Sequence, residues 1–173
     1  MTTTARRGMS APPLFDPERP ATLVVAGPRP APFVITLPAG LKLLNANHRP
    51  HHRVRHEVTK ELRGAAMEAV SDCPALMDAL AAAKPEPLFP RAHILGVYCP
   101  PDRGRRDPAN LYPSFKAAVD GLVDAGLFED DDHTHVVGPD MRLGKVVKKG
   151  QLVLVVRGLE PGEDPLGYEA VTP

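Results

Sequence analysis

The sequence is poor in cysteine. Cys73 and Cys99 are far apart and form no CxxC pair. A disulfide framework is therefore not expected, and both read as reduced, small apolar residues of a cytoplasmic protein. No apolar run is long enough to span a membrane. The N-terminus lacks the apolar core of a signal peptide. Net charge is also absent: Lys+Arg and Asp+Glu are both 21, formally zero. That balance excludes a generally basic coat for nucleic acid, and no nucleotide cofactor is expected. What remains, in 173 residues, is one ordinary domain with a real core.

The charges that are present are unevenly spread. Residues 42–63 hold Lys42, Arg49, Arg53, Arg55, Lys60 and Arg63 against only Glu57 and Glu61. Arg142, Lys145, Lys148 and Lys149 make a second basic patch. A local patch, not the total, is the electrostatic footprint of a nucleic-acid binder. The plainer alternative is a solvated helix face and a charged hairpin.

Residues 1–31 are rich in Thr, Pro, Ala and Arg without periodicity and read as a flexible arm, with a short extended piece at 22–26. The run FVITL at 33–37 reads as a strand stopped by Pro38. A loop to about Arg53 follows. It carries Asn45, Asn47, His48, Arg49, His51, His52 and Arg53, a donor-rich set without an acid. From Val54 the apolar residues recur at helical spacing. Pro74 opens a second helix through Ala83, and Pro85, Pro87 and Pro90 break it. RAHILGVYC at 91–99 is apolar at most positions and reads as a central strand covered on both faces. Residues 133–137 read as a short strand, with His133 and His135 on one face. Residues 145–147 and 151–157 flank Lys148-Lys149-Gly150 and read as a hairpin. The domain is read as 32–159, followed by a flexible tail at 160–173. The fold class expected is α+β, a mixed sheet with helices on one face.

The chemistry concentrates in residues 102–132. Arg103, Arg105 and Arg106 run into Asp107, and Asn110 follows. Pro113 suits a first helical turn. Phe115, Ala118, Val119 and Leu122 continue a helix that ends near Gly126, a residue suited to the left-handed position beyond a helix. Glu129, Asp130, Asp131 and Asp132 come next. Carboxylates beside arginines and a lysine suit phosphodiester chemistry, since hard oxygens hold a divalent ion and cations hold phosphate. Each residue also has a plainer reading. Asp107 suits a cap or turn. Lys116 and Asp120 suit an i, i+4 pair. The acid run suits a solvated turn. His48, His51, His52 and His56 invite a zinc reading, but no Cys or acid completes a familiar pattern.

On these motifs the chain resembles the RusA family of Holliday-junction resolvases. FVITLP with the turn at Asn45 and Asn47 is similar to the family's opening strand and loop. RGRRDPAN followed by KAAVDGLVDAG resembles its core motif, DDD its acidic pair, and KKGQLVLVV its closing strand. The similarity covers roughly residues 33–157. It implies a homodimeric, Mg²⁺-dependent endonuclease, with Mn²⁺ as a substitute, that cuts four-way DNA junctions in recombination and repair. By motif, Asp107, Lys116 and Asp131 are implied as catalytic, and Asp107, Asp131, Asp130 and Asn110 as metal ligands. The DNA-binding set comprises Asn45, Asn47, His48, Arg49, Arg53, Arg55, Arg103, Arg105 and Arg106. The sequence departs from the pattern at Ala109, where the family carries a second acid. Lys116 also lies about one helical turn further from Asn110 than usual.

Two rivals stand beside this reading: a junction-binding protein without cleavage activity, and a zinc-binding adaptor built on the histidines at 48–56. A geometric question also follows. A helix over 113–125 is roughly 18–20 Å long, with Asp107 before it and Asp131 after it. Either the segment after Gly126 runs back along the helix, or a dimer partner supplies one acid. A site shared across the dimer is the preferred route.

Overall fold

The structure, a computed structural model, describes residues 31–165. The extended piece read at 22–26, nearly all of the N-terminal arm and the last residues of the tail lie outside that span. Four strands and three helices follow in the order β1 (Phe33–Thr36), α1 (His52–Ser71), α2 (Pro74–Ala83), β2 (Ala92–Cys99), α3 (Tyr112–Asp124), β3 (Val136–Leu143) and β4 (Gln151–Gly158). A short 3₁₀ turn, Pro108–Leu111, leads into α3. No described helix is long and apolar enough to cross a membrane.

The sheet order is β1-β4-β2-β3, antiparallel except for the parallel pair β2–β3. This is the α+β architecture with a mixed sheet that the patterning implies. The helices pack on one face. Ile35, Ile94, Tyr98, Leu152, Leu154 and Val156 point into a core shared with Leu62, Ala66, Phe115, Val119 and Leu122.

Several boundaries differ from the sequence reading, each for a local reason. Helix α1 starts at His52, two residues before Val54. His51 caps it, its Nδ1 accepting from the Arg53 amide at 3.4 Å. Residues 133–135 are turn, not strand. Asp132 Oδ1 accepts from the amides of Thr134 and His135 and so holds the backbone out of the ladder. His133 and His135 therefore share no strand face. The hairpin at 145–157 does not form, because β2 lies between β3 and β4. Residues 144–147 instead run past the end of β2, with Gly144 N donating to Tyr98 O and Val147 N to Pro100 O. Strand β2 is central, but helices cover only one of its faces; His93, Leu95 and Val97 on the other are half-buried. Residues 160–165, read as the start of the tail, are held by Glu163. Its side chain accepts from Arg157 at 2.7 Å and its carbonyl from Arg91 at 2.7 Å.

Two glycines set how closely the layers approach. A Cβ at Gly96 would lie 2.7 Å from the Phe115 ring, so α3 rests directly on β2 there. A Cβ at Gly121 would overlap the Arg63 carbonyl oxygen where α1 crosses α3. Gly64, one residue along on α1, has nothing within 4 Å of such a Cβ. Gly121→Ala is therefore expected to destabilise the fold by about 1–3 kcal/mol through overpacking. Gly64→Ala should stabilise it by about 0.5–1 kcal/mol through helix propensity. Urea denaturation of the two variants checks both signs.

Candidate active site

Helix α3 carries the centre of the site. Its Phe115, Ala117, Ala118, Val119, Gly121 and Leu122 are buried, which fixes the helix in place. Lys116 and Asp120 share the remaining partly open stripe, one turn apart. Lys116 Nζ donates to Asp120 Oδ1 at 2.6 Å and also to Asp131 Oδ2.

Asp131 reaches this position because the chain doubles back. Gly126 has φ +86°, the left-handed conformation its position after the helix implies. Leu127 N then donates to Leu122 O at 3.0 Å, and Phe89 N to Leu127 O at 2.9 Å. Leu127 and Phe128 are buried beneath the return segment. The segment after Gly126 runs back along the helix as far as Lys116. Lys116 and Asp131 meet within one chain, so no partner is needed to bring this acid to α3.

The electrostatics follow from that meeting. Partial burial works against a charged Lys116, but hydrogen bonds to Asp120 and Asp131 outweigh it and raise the ammonium above the ordinary lysine range. The hydrogen bond from Lys116 holds the Asp131 carboxyl below the ordinary range, against its own desolvation. Asp120 is the site residue that sequence reasoning missed as an acid of the site. Its i, i+4 spacing from Lys116 already accounted for it, and only the return of Asp131 turns that pair into a triad.

The other motif residues are placed one turn upstream of Lys116 and before. Asp107 caps the 3₁₀ turn, its Oδ1 accepting from Ala109 N at 3.0 Å. The capping role and an exposed carboxylate thus coexist. Asn110 Oδ1 accepts from Asn47 Nδ2 at 3.0 Å, and its carbonyl accepts from Ala46 N at 2.8 Å. Ser114, fully buried, accepts from Leu44 N at 2.7 Å and donates to Leu44 O at 2.9 Å. Asn45 Oδ1 closes the loop on Asn47 N at 2.9 Å. The donor-rich loop is thereby stitched to the start of α3. Asn45, Asn47 and Asn110 are spent largely on that seam.

The remaining candidates sort by their partners. Asp130 is exposed, and its Oδ1 accepts from Asp131 N at 2.7 Å. Arg106 forks onto Asp102 with two 2.7 Å bonds, and those hydrogen bonds, with one from Gly104 N, lower the Asp102 pKa to about 2. Arg103, Arg105, His48, Arg49, Arg53 and Arg55 are exposed and meet no acid among the described residues. On the histidine run, His51 is used as a cap and its ring lies 4.2 Å from that of His52.

Among the described residues, no three His, Cys, Asp or Glu side chains are grouped to hold a metal. Mg²⁺, however, is commonly held by one or two carboxylates together with waters and substrate phosphates. Asp120 and Asp131 are hard oxygen donors that already converge on a cation, the Lys116 ammonium. That donor chemistry fits the ion. Comparison with protein-family models and with curated proteins gives no match for this chain.

The depressed Asp131 carboxyl makes a pH prediction. Such a group adds stability above its unfolded pKa of about 3.9, and that stability is lost as pH falls through the lower folded value. Asp131→Asn should cost about 1 kcal/mol or less at neutral pH, as for a partly exposed pair. The gap to the wild type should close in acid, below about pH 4. Urea unfolding of both proteins across that range measures it.

Proposed function

We propose that the chain is a structure-specific endonuclease that cuts four-way DNA junctions in the manner of the RusA family. The observation that carries this reading is the single-chain triad of Asp120, Lys116 and Asp131. Lys116 and Asp120 lie on the helix whose start is stitched to the donor-rich loop, and Asp131 returns to them from the segment after it. Acids, a fixed cation and a phosphate-binding loop are the parts that phosphodiester hydrolysis requires.

The roles follow from chemistry. Asp120 and Asp131 would hold Mg²⁺, or Mn²⁺ in its place, with Asp107 the further carboxylate that the resemblance implies; the ion when bound supplies Lewis-acid polarisation of the phosphate and a more acidic water. Lys116 keeps its charge throughout the physiological range and offsets the negative charge that gathers on the scissile phosphate. The seam through Asn47, Asn110 and Ser114 holds these groups in register with the basic loop. Arg49, Arg53, Arg55, Arg103 and Arg105 are left for backbone phosphates and release counterions on binding. Arg106 contributes indirectly, by bracing the loop through Asp102. Ala109 leaves the site one acid short of the family pattern, and Asn110, Asp130 or Asp132 would supply the missing oxygen.

Asp107→Asn tests the assignment without disturbing the turn, because an asparagine oxygen still accepts from Ala109 N. Junction binding in a gel-shift assay should be retained. Cleavage should fall by at least about 100-fold, or ~2.7 kcal/mol of transition-state stabilisation. A variant that cuts at the parental rate removes Asp107 from the site. A wild type that binds junctions and cuts none selects the binding-only rival.

A further inference from the structure

The end of β2 lies beside the ends of β1 and β3 and the start of β4. Cys99 pairs with Gln151, Tyr98 pairs with Leu143, and Gln151 Nε2 donates to Leu37 O at 2.9 Å. The segments 37–44, 100–107 and 144–150 therefore meet at one end of the sheet. They are also tied to one another. Gly40 N donates to Gly150 O at 2.9 Å, and Val147 N to Pro100 O at 2.9 Å. Between them they carry Lys42, Arg103, Arg105, Lys145, Lys148 and Lys149, all exposed among the described residues. None of these meets an acid among the described residues. Segments 37–44 and 144–150 contain no Asp or Glu at all.

The turn that carries Lys148 and Lys149 is costly for its residue type. Gly150 N donates to Val147 O at 2.8 Å, so the two lysines are its central residues. Lys149 has φ +72°, alone among the described non-glycine residues. Such a turn takes Gly or Asn at that left-handed position, and a longer L side chain there costs free energy. Yet the lysine is accommodated. A Cβ at Gly40 would lie 3.3 Å from Lys149 Cδ, so the bare Gly40 backbone makes room for the lysine stem. A charged residue that strains its turn and finds no partner within it points to a ligand outside it.

We propose that this end of the sheet holds the backbone phosphates of a duplex arm, with Lys148 and Lys149 as contacts beyond the arginines already assigned. Strands about 4.8 Å apart put the outermost of these segments roughly 15 Å from each other. One strand of B-DNA carries about four phosphates over that length. Lysines suit such a row, because a point charge needs no fixed hydrogen-bonding fork. The position suits it too. Segment 100–107 leads through Asp107 into α3, so a duplex held here lies beside that carboxylate. The surface rests on the junction-cutting reading for its ligand, but it is tested by binding and not by cleavage.

Fluorescence anisotropy of a labelled four-way junction, with chelator and over a range of salt, decides the matter. The wild type sets the slope of log Kd against log salt. Lys149→Gly removes the charge and eases the turn, so its melting temperature should match or exceed the wild type's. Its salt slope should nevertheless fall by about 0.9, the loss of one phosphate contact. Adding Lys148→Gln should lower the slope by about 0.9 again. Lys84→Gln is the control. It removes the same charge from the segment that enters β2 at its opposite end, and should leave the slope unchanged. A slope that survives both turn substitutions overturns the surface, and so does an equal fall with Lys84→Gln. Cleavage with Mg²⁺ is scored separately. The expected slopes without cutting keep the surface and remove the nuclease reading, whereas cutting with an unchanged slope removes the surface alone. A wild type that binds no DNA removes both.

Discussion

The close crossing of α1 and α3 is the constraint on which the site depends. With no side chain at Gly121, α3 sinks against the Arg63 carbonyl and Ala66, while Phe115 fills the space over Gly96. A helix held this tightly on two sides has only a narrow stripe left for polar residues. Lys116 and Asp120 occupy it. Overpacking at the crossing would tilt the helix and move both, as well as the seam at Ser114 that depends on its first turn. The site is thus a consequence of packing before it is one of charge.

Charge then decides what the stripe can do. Two carboxylates brought together repel unless a cation lies between them. The Lys116 ammonium meets that need, and the burial that disfavours it is outweighed by the two hydrogen bonds it makes. The same geometry leaves a fixed positive charge between two hard-oxygen donors on that partly open stripe. The loop at 44–47 is held by Asn110 and Ser114, so the segment that leads on to Arg49 and Arg53 is anchored to the start of α3.

Much of this was legible in the residues, and what was not has physical reasons. Prolines at 74 and 113 and the apolar spacing mark α2 and α3 well, because both signals are local. Asp131 stands out in its acid run, but its path back to Lys116 depends on Phe89 pairing with Leu127, a contact between distant segments. Asp120 was hidden by a sufficient local explanation. Strand β3 was read too early and too short, at 133–137, because VVGPDMRL shows no alternation. It is an edge strand with an irregular register opposite β2, where Gly and Pro are tolerated. The false hairpin came from a real turn at Lys148-Lys149-Gly150 whose flanks pair elsewhere. The apolar run of β2 was read as covered on both faces, and among the described residues helices cover one.

The most direct measurement of the central claim is cleavage of an end-labelled synthetic four-way junction by the wild-type protein. A linear duplex of matching sequence runs alongside, each with Mg²⁺ and with chelator. The account predicts paired, symmetric nicks in the junction with Mg²⁺, none with chelator and none in the duplex. A junction left intact under all conditions, or a duplex cut as readily as the junction, would contradict it.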